Sequence, residues 1–215
     1  MSEGRAIPWD EAMYVATEFS MAILPFCERI GVAGSLRRKK PDVHDLELVV
    51  VPKIEGQRTL LDPDDPDLNV PVSGSNKLHT ALISMLGAGV INTDRPRKDN
   101  KKNPFGPKYY RINYLRHEQQ RPGPDGIVPA VLVKKEYPID LFAVIPPAQW
   151  GVIFLIRTGS AGFSHWFVQQ GYGRGIRVVD GHLEKQGVIL DTPEEDDVFD
   201  AMDVPYREPE DREVK

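Results

Sequence analysis

Gly34-Ser35-Leu36-Arg37-Arg38-Lys39-Lys40, followed shortly by Asp45-Leu46-Glu47-Leu48-Val49-Val50-Val51, is a turn with four basic residues leading into a strand-like run that carries two acids. Successive strand side chains point to opposite faces, so Asp45 and Glu47 project together while Leu46, Leu48 and Val50 project into a core. Converging hard oxygen ligands suit Mg²⁺, which takes one or two carboxylates and fills its octahedron with water and substrate phosphate. Upstream, the Gly34-Ser35 pair opens a helix whose free N–H groups, with the Ser35 hydroxyl, face an anion. Downstream, Tyr137 to Val144 reads as a second strand that places Asp140 on one face. On its own, Asp-x-Glu also describes a half-buried strand with an acidic outer face. Three acids beside one phosphate cradle point instead to chemistry on a metal-bound triphosphate.

The rest of the chain fits a modest enzyme. Its 215 residues suffice for one sizeable core or two small ones. Cys27 is the only cysteine, which excludes an intrachain disulfide and makes a reducing compartment the default. Neither a secretory leader nor a long apolar run is present, so the expectation is a cytoplasmic protein with no membrane span. The net charge of −5 argues against a polyanion partner until its distribution is considered. Acids crowd 62–67 and the C-terminal end, whereas Arg95, Arg97, Lys98, Lys101, Lys102, Lys108, Arg111 and Arg116 share a stretch with little acid. That stretch is a local basic surface for nucleic acid, or else a solvated loop.

Spacing predicts helices over about 9–24 and around Leu78 to Leu86, strands over 107–115 and 128–133 flanking a turn at 121–126, and a loop at 62–67. Beyond Pro146-Pro147 the pattern changes to short helices, 150–157 and 163–172, separated by Thr158-Gly159-Ser160-Ala161-Gly162. Thr192-Pro193-Glu194-Glu195 reads as a capping box.

Gly34-Ser35-Leu36-Arg37-Arg38, Asp45-x-Glu47, Ile139-Asp140, Thr158-Gly159-Ser160, Gly171-Tyr172-Gly173-Arg174-Gly175 and the tail around Tyr206-Arg207-Glu208-Pro209 together resemble the palm and thumb of family X DNA polymerases, the DNA polymerase beta relatives among nucleotidyltransferases. The resemblance runs from about residue 7 to the C-terminus, with a less familiar stretch at 54–107. It implies an α+β nucleotidyltransferase palm, with helices on one face of a mixed sheet, over 1–146 and a small thumb over 147–215. The amino-terminal domains of larger relatives have no counterpart, as in the minimal two-domain viral members.

The same resemblance implies roles. Asp45, Glu47 and Asp140 would hold two Mg²⁺ ions, with Mn²⁺ as a substitute, and Asp140 would accept the primer 3′-hydroxyl proton. Two such ions clamp the attacking and leaving oxygens of a phosphoryl transfer. Gly34, Ser35 and Arg38 would hold the phosphates, while Arg37, Lys39 and Lys40 read as surface charges. Arg157, Thr158, Gly159, Ser160 and Ser164 would line the nucleotide, with a cis Gly159–Ser160 peptide at the sugar. Lys98, Lys101, Lys102, Lys108 and His165 would meet DNA, His165 by stacking unless it is simply exposed.

Some positions depart from the family pattern. Glu47 stands for a second Asp, His44 for a glycine, Ile156-Arg157 for an aromatic pair at the sugar, and Pro138 for an arginine that contacts the third acid or primer. The expected function is addition of dNTPs, or rNTPs, to primer–template or gapped DNA by a monomer in short-gap repair. The alternative is a nucleotidyltransferase that needs no template or modifies RNA or protein, and a non-catalytic DNA-binding relative is the third reading.

Overall fold

Ala12, Val15, Ala16, Phe19 and Ile23 recur at helical spacing and are all fully buried, which makes helix α1 (Trp9–Ile23) a one-sided packing element. Asp10 and Glu11 in its first turn complement the positive end of its dipole, and Pro25 in the short 3₁₀ turn Leu24–Phe26 closes it. The computed structural model describes residues 6–55, 75–94, 105–120 and 131–213. The acidic run at 62–67, the turn at 121–126 and Lys98, Lys101 and Lys102 lie outside them.

Among the described residues there are six α-helices and a mixed five-stranded sheet. In chain order the strands are β1 (Ile7–Pro8), β2 (Cys27–Val32), β3 (Asp42–Val43), β4 (Leu46–Pro52), β5 (Ile54–Glu55), β6 (Ser75–Asn76), β7 (Ile91–Asn92), β8 (Tyr109–Gln120), β9 (Val131–Ala143), β10 (Ile176–Val179), β11 (His182–Lys185) and β12 (Val188–Leu190). The other helices are α2 (Gly34–Arg37), α3 (Lys77–Gly87), α4 (Trp150–Thr158), α5 (Ala161–Gln170) and α6 (Glu195–Met202). The main sheet has the order β2-β4-β9-β8-β7, with β4 and β9 parallel and the other neighbours antiparallel. Where separate strands at 128–133 and 137–144 were expected, β9 is one continuous strand.

Alternation decides the two faces of this sheet. Leu46, Leu48 and Val50 of β4, Ile139, Leu141 and Ala143 of β9, and Tyr110 and Ile112 of β8 share a core with α1 and with Leu78 and Leu82 of α3. Burying each aliphatic side chain there contributes roughly 1.5–3 kcal/mol. The opposite face carries Val49, Phe142 and Val144, which pack on Ala33, Ala148 and Trp150. Helix α4, in the part expected to form the thumb, covers one end of this face. The uncovered remainder carries the acids.

The C-terminal part has its own core of Val152, Leu155, Phe163, Phe167, Ile176, Leu183, Val198, Phe199 and Met202. It includes an antiparallel sheet β10-β11-β12 that the sequence reading did not anticipate. Its hairpins turn at Asp180-Gly181 and Gln186-Gly187, all four residues at positive φ, as two-residue turns require. The capping box also sits two residues later than expected: Glu194 is the cap of α6 and Asp197 its reciprocal partner. Thr192 is engaged elsewhere, its hydroxyl donating to Gln149 Oε1 (2.6 Å).

Candidate active site

The parallel pairing of β4 with β9 puts Glu47 directly beside Asp140, and Asp45 precedes Glu47 by two on the same face. All three acids line one cleft of about 630 Å³, together with Lys108, Tyr109, Arg111, Phe142 and Arg157. Burial raises the Glu47 carboxyl to a pKa of about 7, and the charges of Asp45 and Asp140 push the same way against Arg157 and Arg38. Asp140 is only 5 % exposed. Its neighbours come from β8: Arg111 Nη1 lies 3.9 Å from Asp140 Oδ2, and the Tyr109 hydroxyl is hydrogen-bonded to Asp140. The Arg157 guanidinium lies 3.9 Å over the Phe142 ring, and enclosure on that side lowers its pKa.

Gly34 lets the turn approach this cleft. Its φ is +63°, and a Cβ added there would come within 2.0 Å of Glu47 Oε2. The Ala33 N–H donates to the Glu47 carbonyl (2.8 Å), which ties the turn to β4. A second cleft of about 380 Å³ adjoins the first, sharing Asp45, Glu47 and Arg157, and is lined further by Ser35, Arg38, Ile156, Gly159, Ser160 and Ser164. The turn, the acids and the 156–164 segment are therefore brought together. Thr158 is fully buried behind the cleft wall, and its hydroxyl accepts from Arg37 Nη1 (2.7 Å). Ser164 Oγ donates to the Ile156 carbonyl (2.8 Å).

The four basic residues of the turn are all paired with C-terminal acids. Arg37 makes a two-pronged contact with the buried Glu195 (2.8 and 2.6 Å), which in turn accepts from the fully buried Arg212. Arg37 is thus a structural ion-pair partner where a surface charge was expected. Arg38 donates from Nε to Glu213 (2.8 Å) and from Nη1 to the Thr158 carbonyl (2.5 Å). Lys39 pairs with Glu210, and Lys40 with Glu213 (2.9 Å).

One implied feature is corrected. The Gly159–Ser160 peptide is trans, and among the described residues the cis bond is at Pro146–Pro147. The extended trans backbone at Ser160 lets its side chain cap α5, accepting from the Phe163 N–H (3.1 Å). Of the expected DNA contacts, Lys108 is exposed at the cleft, and His165 is exposed on α5 beside Gln169.

Among the described residues no three His, Cys, Asp or Glu side chains converge as a ready ion cage. Glu47 lies against Gly34, and Asp140 is engaged by Tyr109 of β8. The donor chemistry nonetheless fits Mg²⁺. One or two carboxylates per ion suffice, and a cation among them would offset the burial and the neighbouring acid charges that raise Glu47.

Sequence reading did not single out Tyr109, named Glu195 only within a capping box, and counted Arg111 only as part of a basic stretch. Among the described residues no helix is long and apolar enough to cross a membrane. A comparison with curated proteins gives no match to the chain. Residues 154–213, from the middle of α4 nearly to the C-terminus, match the family model of the DNA polymerase beta thumb. The chain thus carries a DNA polymerase beta-like domain of family X in its C-terminal part.

Proposed function

We propose that the chain is a nucleotidyltransferase of the DNA polymerase type, adding a nucleotide to the 3′-hydroxyl of a DNA primer on gapped or recessed template. The observation that carries this reading is the placement of Asp45, Glu47 and Asp140 on one sheet face, in a cleft walled by a DNA polymerase beta thumb segment. Asp45 and Glu47 would hold both Mg²⁺ ions and Asp140 one of them, and these ions would supply charge neutralisation and in-line alignment. Asp140, buried beside the cleft, accepts the proton of the primer hydroxyl. Ser35 and Arg38 bind the triphosphate, which requires Arg38 to exchange Glu213 for phosphate oxygens. Gly159, Ser160 and Arg157 orient the nucleotide.

Single-turnover extension of a gapped primer by Asp45→Ala, Glu47→Ala and Asp140→Ala tests the reading. Each is expected to fall by roughly a thousandfold, about 4 kcal/mol of transition-state stabilisation. Asp140→Ala should retain Mg-dNTP better than Asp45→Ala. Near-normal turnover in any one removes that residue from the catalytic set.

A further inference from the structure

The β8/β9 register sets Arg111 directly opposite Asp140, and Tyr109, two residues earlier, on the same sheet face. Arg111 reaches Asp140 with Nη1 at 3.9 Å, and the same nitrogen donates to the Tyr109 hydroxyl (3.4 Å), which is itself hydrogen-bonded to Asp140. The Arg111 side chain is 19 % exposed, and its Nε is buried with no hydrogen-bond partner. A buried guanidinium donor left unsatisfied is costly, so this arrangement needs a physical reason.

We infer that Arg111, acting with the Tyr109 hydroxyl, is the positioning residue of Asp140. The inference rests on the proposed polymerase reading. Asp140 can serve only if its carboxylate points into the cleft. A hydroxyl donor and a cation, both mounted on the neighbouring strand, fix one rotamer of the carboxylate. A strand mount is rigid, which makes the pair more precise than a loop residue would be.

The decisive measurement is single-turnover extension on a primer–template with the matching dNTP and Mg²⁺. Arg111→Met keeps the stem and removes the fork; the rate is expected to fall about 10- to 100-fold. The nucleotide KM should move less than about threefold, since Arg111 does not reach the phosphate-side cleft. Pro138 lies two residues before Asp140 on the same face of β9, opposite Asn113. Pro138→Arg in the Arg111→Met background therefore supplies a guanidinium to the same carboxylate and is expected to recover most of the lost rate. A merely structural Arg111 would not be rescued from that position. If Arg111→Met does not fold, Arg111→Gln, which keeps polar donors in the buried site, carries the same comparison. A rate close to wild type, an effect mainly on KM, or no recovery with Pro138→Arg would overturn the assignment. Asp140→Asn reports separately: activity surviving that change sinks the polymerase reading, whereas its loss alongside a normal Arg111→Met sinks only this inference.

Discussion

Gly34 meets two demands that no residue with a side chain can meet together. Its backbone is left-handed, which costs other L-residues about 1–2 kcal/mol, and its missing Cβ leaves room for the Glu47 carboxylate. Gly34→Ala is therefore expected to lower stability by about 1–2 kcal/mol and to displace Glu47 from the cleft. Urea unfolding reads the first effect and Mg²⁺-dependent extension the second. Unchanged values of both would show that the turn has another conformation available. The acids themselves were legible in the sequence because period-two alternation is a local rule, and it put Asp45, Glu47 and Asp140 on the cleft face as expected. Arg111 was not legible as a partner of Asp140, since that contact depends on pairing between strands joined through 121–130, and register is not a property of either strand alone.

At the scale of elements, the buried Glu195 of α6 joins α2 to the C-terminal segment. Burial alone would raise its carboxyl pKa, but hydrogen bonds from Arg37 and Arg212 outweigh that and hold it below the ordinary carboxylate value. Its pKa is thus lower folded than unfolded. The stabilisation is fully present above the unfolded value and is lost as pH falls through the depressed one. Glu195→Gln leaves Arg212 buried without its counter-charge, at an expected cost of about 3–5 kcal/mol near neutrality. Urea titrations from pH 6 down to pH 3 should show the variant and wild type converging in acid, and a gap that stays constant with pH would refute the role given to this carboxylate. Helices α1, α3, α4 and α5 were readable from apolar spacing and breakers. The hairpins of β10, β11 and β12 were missed although Asp180-Gly181 is a strong turn signal, because Val188 and Ile189 are exposed and the flanking strands alternate poorly.

Across the whole molecule, charge is arranged in opposition. The turn's basic residues face Glu195, Glu210 and Glu213, and Arg29 pairs with Glu194 (2.6 Å), so basic groups of the N-terminal part are met by acids of the C-terminal part. The run Arg37 to Lys40, of which only Arg38 was expected to meet phosphate, is thereby largely spent on intramolecular ion pairs. A chain of net charge −5 then has to grip DNA elsewhere; Lys108 stands at the cleft, and Lys98, Lys101 and Lys102, close to it in sequence, lie outside the described residues. Each phosphate contact releases counterions, so replacing these four lysines with glutamine should weaken DNA binding on every sequence and flatten its logarithmic salt dependence by roughly 0.7–0.9 per lost contact. Lys39→Gln and Lys40→Gln form the internal comparison: their ammonium groups already have carboxylate partners, so the slope should hardly move. Fluorescence titrations of a gapped duplex across a salt series separate the two sets. A slope that falls with Lys39 and Lys40 but not with the other four would place the DNA on the opposite side of the cleft, over the turn that carries Ser35 and Arg38.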